Sequence, residues 1–107
     1  MSPEGAQSIA TYDAVVALGE AMERLEQNSD FKVVFGEHFI EAFAVTNVMQ
    51  IAQYDEAGRA RSAEKMLARS HFMQFIEMVK NDKILAQQAI IDIRKDAELD
   101  ESNSDEE

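Results

Sequence analysis

The sequence has no cysteine and no tryptophan, and its 107 residues include one proline and four glycines. Without cysteine there are neither disulfides nor cysteine-ligated zinc, which fits a reducing compartment. With so few prolines and glycines, little interrupts helices. No apolar run approaches the roughly 18 residues that a membrane span needs. The first ten residues lack the basic and apolar regions of a signal peptide. We therefore expect a helical chain without a membrane span or secretory leader.

Basic residues are also scarce. Ten lysines and arginines oppose 21 acidic residues, so the formal net charge is −11. Seven of the acids and none of the bases lie in residues 96–107, whereas residues 1–95 carry a net charge of −4. Because a nucleic-acid-binding surface needs the opposite sign, we predict no direct binding of DNA or RNA. Residues 97–107 are poor in apolar side chains and rich in charge, which predicts a disordered acidic tail.

Motifs for catalysis and for phosphate binding are missing as well. No serine or lysine stands in a nucleophile context, and no glycine-rich loop is present, so we expect a non-enzymatic protein without a cofactor. His38 and Glu41 are three residues apart, and His71 is the other histidine. A helical di-iron site needs Glu-x-x-His on two helices, and neither histidine has a glutamate three residues before it. We predict no metal site and keep a metal-binding bundle as a third functional hypothesis.

The dominant pattern that is present is a row of aromatic residues between Asn28 and Tyr54. Phe31, Phe35, Phe39 and Phe43 are each four residues from the next. In a helix, residues four apart are neighbours on one surface. Many of the surrounding residues are also apolar, and a helix of this kind needs partners on more than one side. The pattern predicts a central helix on which the rest of the chain packs.

Two further helices flank the central one. Val15, Leu18, Met22 and Leu25 form an apolar stripe that indicates a helix from about Thr11 to Gln27. Gly19 in this helix would allow a neighbouring helix to approach closely.

A long third helix is predicted from about Arg59 to Asp96, because Phe72, Val79, Ala86 and Ile93 are seven residues apart. Asn81, Asp82 and Lys83 interrupt its stripe with polar groups. We interpret the segment as one helix, because neither glycine nor proline occurs there.

These patterns predict an all-α protein. Residues 1–10 would form a flexible N-terminal arm, residues 11–96 a helical domain and residues 97–107 the disordered acidic tail. The helices would form a three-helix antiparallel bundle or a helical hairpin with a long C-terminal helix.

Two groups of residues are candidates for contact with a partner. The first is a set of large apolar side chains that such a short chain cannot easily cover. The second is a basic stripe, Arg61, Lys65 and Arg69, which could bind phosphate, an acidic partner or the acidic tail, or could simply be solvated. The apolar candidates are Phe31, Phe35, Phe39, Phe43, Phe72, Phe75 and Ile76.

The segment Asn28-Ser29-Asp30-Phe31-Lys32 resembles an Asn-Pro-Asp-Phe-Lys segment found in a group of small, largely uncharacterised proteins of tailed bacteriophages. In that group an apolar helix and a polar turn follow, then a long helix with an Ala-Gln-rich end, here residues 86–90. This chain has Ser29 where the group has proline, and Glu37-His38-Phe39 where the group tends to have Gly-Tyr-Phe. The group's genes tend to lie among virion structural genes. The resemblance implies a phage protein located in the host cytoplasm or the virion, with a structural or assembly role.

The leading hypothesis from the sequence is a non-enzymatic phage structural or virion-assembly protein. It would act through helix–helix contacts with copies of itself or with a virion protein. The alternative is a small acidic inhibitor that mimics nucleic acid and binds a host nucleic-acid-binding protein through its tail.

Overall fold

The computed structural model describes the backbone of residues 1–105 and the side chains of residues 1–101. The order of elements is α1 (Pro3–Gln27), α2 (Ser29–Phe31), a π-helix (Lys32–Ala42), α3 (Phe43–Gln50), a 3-10 turn (Ile51–Gln53) and α4 (Glu56–Asp105). The described residues form helices and no strands, so the all-α prediction with a long C-terminal helix is confirmed.

Helix α1 begins at Pro3, whereas the sequence pattern placed its start near Thr11. Proline suits the first turn of a helix, where its missing N–H would have no intrahelical partner. The Ser2 hydroxyl accepts a hydrogen bond from the Gly5 N–H at 3.0 Å, and Glu4 places a negative charge in the first turn. Residues 1–10, predicted as a flexible arm, are therefore mostly part of this helix.

Two short polar breaks separate the helices, and each carries a side-chain cap. Asn28 has an extended backbone, and its side-chain oxygen accepts from the Phe31 N–H at 3.1 Å. Asp55 accepts from the Gly58 N–H at 2.7 Å at the start of α4. Each side chain thus satisfies a backbone N–H at the start of the helix that follows, as asparagine and aspartate commonly do.

The backbone between these breaks is helical throughout, as the aromatic row predicts, but its hydrogen bonding changes along the way. The π-helix has i→i+5 bonds, for example from the Phe43 N–H to the His38 carbonyl, and α3 then returns to α-helical geometry. Gly36 lies inside the π-helix, and a Cβ there would meet no atom within 4 Å. Unlike Gly19, Gly36 therefore does not mark a close approach of another helix.

Helix α4 is a single element of 50 residues. It passes through Asn81, Asp82 and Lys83 without interruption, which confirms the interpretation as one helix. It also continues through Asp105 in place of the disordered tail expected from residue 97. Adding residues to an existing helix avoids the cost of nucleation, so a charged segment without glycine or proline can extend it. The last two residues of the predicted tail, 106 and 107, lie outside the described residues.

The chain divides into two compact units. Unit 1 joins Met1–Met22 with the chain from Val79 onward, and unit 2 is Glu23–Met78. In unit 1, α1 and α4 run antiparallel, because Gly5 lies beside Ile93 and Gly19 lies beside Lys83. Gly19 is buried, and a Cβ added to it would overlap the Cβ of Lys83. Its predicted role in a close helix approach is confirmed.

In the described part of the chain, the buried apolar side chains all lie on α4. One of them lies in unit 2 and the other three lie in unit 1. They are Ile76, Val79, Ala86 and Ile90.

The two glycines give a matched test of this packing. Gly19→Ala should lower the free energy of unfolding by about 1–3 kcal/mol, because the new methyl group forces α1 away from α4. Gly36→Ala should raise it by up to about 1 kcal/mol, because open space surrounds the site and alanine favours helix. Urea denaturation measures both values. A Gly19→Ala protein as stable as the wild type would contradict the close contact.

Candidate interaction surface

Five phenylalanine rings form one aromatic cluster in unit 2. Phe31 lies 5.1 Å from Phe35 between ring centroids, and Phe39 lies 5.8 Å from Phe43. Phe72 of α4 joins the row, at 5.3 Å from Phe35 and 5.5 Å from Phe39. Two of these pairs are stacked, one is tilted and one is edge-to-face, and favourable ring pairs contribute about 0.5–1.5 kcal/mol each beyond area burial. The cluster therefore attaches the π-helix to α4, while Phe35 stays exposed and the other four rings are half-buried.

The two remaining apolar candidates lie in different surroundings. Phe75 is 48% exposed and stays available to a partner. Ile76 is only 5% exposed and is one of the buried apolar residues of α4. The two residues differ because neighbouring positions on a helix point in different directions, and only Ile76 of this pair faces inward. The role of Ile76 at an interface stays a prediction.

The basic stripe is divided by the fold. Arg61 and Lys65 are exposed on α4. Arg69 is half-buried, and its Nε donates a hydrogen bond to the Ile40 carbonyl near the end of the π-helix. A change from i→i+5 to i→i+4 bonding disturbs the backbone ladder, and a buried carbonyl there needs another donor. Arg69 thus supports the π-helix, and Arg61 and Lys65 remain as the accessible part of the stripe.

A polar pair joins α3 to α4. The Ser62 hydroxyl donates to the Asn47 side-chain oxygen at 2.9 Å, and the Asn47 amide donates to the Phe43 carbonyl at 2.8 Å. Asn47 is 7% exposed and Ser62 is 3% exposed, so both bonds are shielded from water. A buried amide without partners costs about 1–3 kcal/mol, which makes the inward orientation of Asn47 the favoured one. The pair therefore fixes the rotation of α3 about its axis.

The opposite face of α3 is apolar and exposed. Val45, Val48 and Met49 recur at helical spacing, and Val48 and Met49 are 67% and 74% exposed. Ile51 extends this face into the 3-10 turn. Residues 42–54 contain no charged side chain, although Glu41 and Asp55 bracket them. Helix α3 thus directs Asn47 inward and exposes Val45, Val48 and Met49, whereas an ordinary surface helix exposes mainly polar residues.

The described residues provide no counterpart to a metal centre or a membrane anchor. His38 and His71 are both exposed. No three His, Asp or Glu side chains within the described range are placed to hold a metal ion. Among the described helices, none combines the length and apolarity that crossing a membrane requires.

Sequence reasoning missed the polar pair and the outward face of α3. Asn47 was not singled out among the candidate residues. The available signal was an amide between Val45 and Val48, since a polar residue among apolar ones in a helix often marks a buried hydrogen bond. In the sequence, the neighbouring valines and methionine looked like core residues. Which side of α3 faces inward depends on its tertiary partner, and the sequence pattern does not show that partner.

No protein-family model, curated protein or solved structure matches the chain. Its function is therefore inferred from its own residues.

Removing either side of the polar pair should destabilise unit 2 by about 1–3 kcal/mol, because a buried polar group loses its partner. In a double-mutant cycle, Asn47→Ala with Ser62→Ala should cost less than the sum of the single changes. Denaturant unfolding of the four proteins gives the coupling. The nearby exposed Thr46→Ala is the control and should change stability by less than about 0.5 kcal/mol. Strict additivity would show that the two residues do not support each other.

Proposed function

We propose that the protein is a non-enzymatic structural or assembly protein of a bacteriophage. It acts by presenting an apolar helix face to copies of itself or to a virion protein. The observation that supports this is the orientation of α3, with Asn47 bonded inward and Val48 and Met49 exposed. Contiguous exposed apolar surface of this kind marks sites of protein interaction.

The size of the chain supports the same proposal. A domain of this length buries a modest core, and association adds to it. We further propose that the helices are completed as an antiparallel bundle or hairpin when partner helices cover the α3 face. The phage setting comes from the resemblance of residues 28–32 to the tailed-phage group, and contact with virion components would take place in the infected host's cytoplasm or in the particle.

Introducing charge into the α3 face should abolish association without unfolding the protein. Val48→Glu places a carboxylate where a partner helix would have to bury it, which is strongly unfavourable. Because Val48 is exposed, its stability should change by less than about 0.5 kcal/mol. Light scattering measures the oligomer mass, and binding to purified virion proteins is measured in parallel.

Leu99→Glu is the matched control, because Leu99 is similarly exposed but lies between Glu98 and Asp100. It should leave association unchanged. If the wild type remains monomeric at high concentration and binds no virion protein, the proposed function is wrong.

A second candidate function is inhibition of a host nucleic-acid-binding protein by mimicry of nucleic acid. The supporting observation is that α4 carries Asp96, Glu98, Asp100 and Glu101 exposed on a helix, so four negative charges are held close together. Glu101 also lies 3.7 Å from the N-terminal ammonium group of Met1.

Truncation after Lys95 tests the second candidate. If the protein is a mimic, it displaces DNA from a basic host protein at low salt, and displacement weakens at high salt because screening reduces charge attraction. The truncated chain should lose this activity. Neutralising Asp96, Glu98 and Asp100 to Asn and Gln controls for the shortened helix and should have the same effect. Full activity in either variant would exclude mimicry through the tail.

A further inference from the structure

A groove of about 270 Å³ opens on unit 2 beside the π-helix. Its apolar lining comes from Phe31, Ile40 and Ile76, and Gly36 leaves space where a side chain would otherwise stand. Its charged lining consists of Glu26, Glu37, Glu41 and Lys32. Three carboxylates therefore oppose one ammonium group, and Lys32 also donates to the Gln27 side chain at 3.4 Å.

The same unit carries an exposed surface of opposite charge. Arg61 and Lys65 lie four residues apart on α4, and Glu37 and Glu41 lie four residues apart on the π-helix. Within the described part of the chain, none of these four side chains has an ion-pair partner. Residues four apart are neighbours along a helix surface, so each pair presents two like charges in a row.

We propose that the groove binds the α4 start of a second copy of the chain, with Arg61 and Lys65 of that copy beside Glu37 and Glu41. The inference deepens the assembly function proposed above and rests on it. The stems of arginine and lysine are apolar, so they fit a groove with an apolar floor and an acidic rim. When α4 of the second copy runs antiparallel to the π-helix, Glu37 faces Lys65 and Glu41 faces Arg61. Each acidic side chain then meets a basic one.

Spacing favours a second copy's Arg61 and Lys65, because they lie four residues apart, as Glu37 and Glu41 do. Of the exposed bases Arg24, Arg59, Arg94 and Lys95, no two lie four residues apart. Arg69 is bonded to Ile40, Lys32 to Gln27, and Lys80 and Lys83 have partners of their own. Because the groove and the basic residues are different surfaces, the contact can repeat from one copy to the next and build a ring or filament. Such a repeating contact is suited to an assembly protein.

Charge reversal in two complementary variants tests the proposal on the full chain. Glu37→Lys with Glu41→Lys makes both surfaces basic, and Arg61→Glu with Lys65→Glu makes both acidic. Each variant alone should associate at least about tenfold more weakly than the wild type, because like charges now meet across the contact. An equimolar mixture should regain association, because each variant supplies the surface that the other lacks. Sedimentation velocity at low and high salt measures the masses, and high salt should weaken the wild-type contact.

Folding is checked by circular dichroism, and should be unaffected because all four positions are exposed. If either reversal fails to fold, the neutral variants Glu37→Gln with Glu41→Gln and Arg61→Gln with Lys65→Gln replace it, and each should weaken wild-type association. A mixture of folded reversal variants that stays dissociated would overturn the proposal. Charge variants that associate like the wild type would also overturn it. If Val48→Glu still abolished association in that case, the assembly function would stand and only the groove contact would be wrong.

Discussion

The hydrogen bond between Ser62 and Asn47 is the constraint on which the exposed surface of unit 2 depends. A helix as short as α3 has no intrinsic preference for which side faces α4, and apolar packing alone would turn its valines inward. The buried amide reverses that choice, since rotating α3 by half a turn would break the hydrogen bond that Asn47 accepts from Ser62 of α4. One polar contact therefore decides that Val48 and Met49 face outward.

The π-helix and the aromatic cluster complete this arrangement. In the π-helix the ladder has i→i+5 bonds, and the residues that follow it resume α-helical geometry. Around this change of register, Arg69 donates to the Ile40 carbonyl and Asn47 to the Phe43 carbonyl. Phe72 of α4 packs against Phe35 and Phe39, which both lie on the π-helix. Polar contacts thus satisfy the altered backbone while the rings supply the apolar contact, and neither buries the outer face of α3.

Features set by local chemistry could be predicted from the sequence. The Asn28 and Asp55 caps, the four-residue aromatic spacing and the unbroken course of α4 all depend on residues within a few positions of one another. The start of α1 at Pro3 also depends on neighbouring residues, Ser2 and Glu4. The sequence analysis nevertheless assigned residues 1–10 to a flexible arm. Other features depend on which element lies opposite, so no spacing rule could predict them. They are the inward direction of Asn47, the role of Arg69 and the burial of Ile76. The same limit hid the groove, whose lining comes from separate parts of unit 2.

A chain with a net charge of −11 resists association with itself unless the contact avoids or neutralises that charge. Screening limits the repulsion to about 8 Å at physiological ionic strength, so the charges near the contact decide the outcome. The uncharged run from residue 42 to 54 allows apolar surfaces to meet without repulsion. In the proposed assembly, the groove and the Arg61–Lys65 pair would add attraction, since they carry opposite charges within the same unit. Apolar area would then supply affinity, and the charged rows would fix the register in which copies meet.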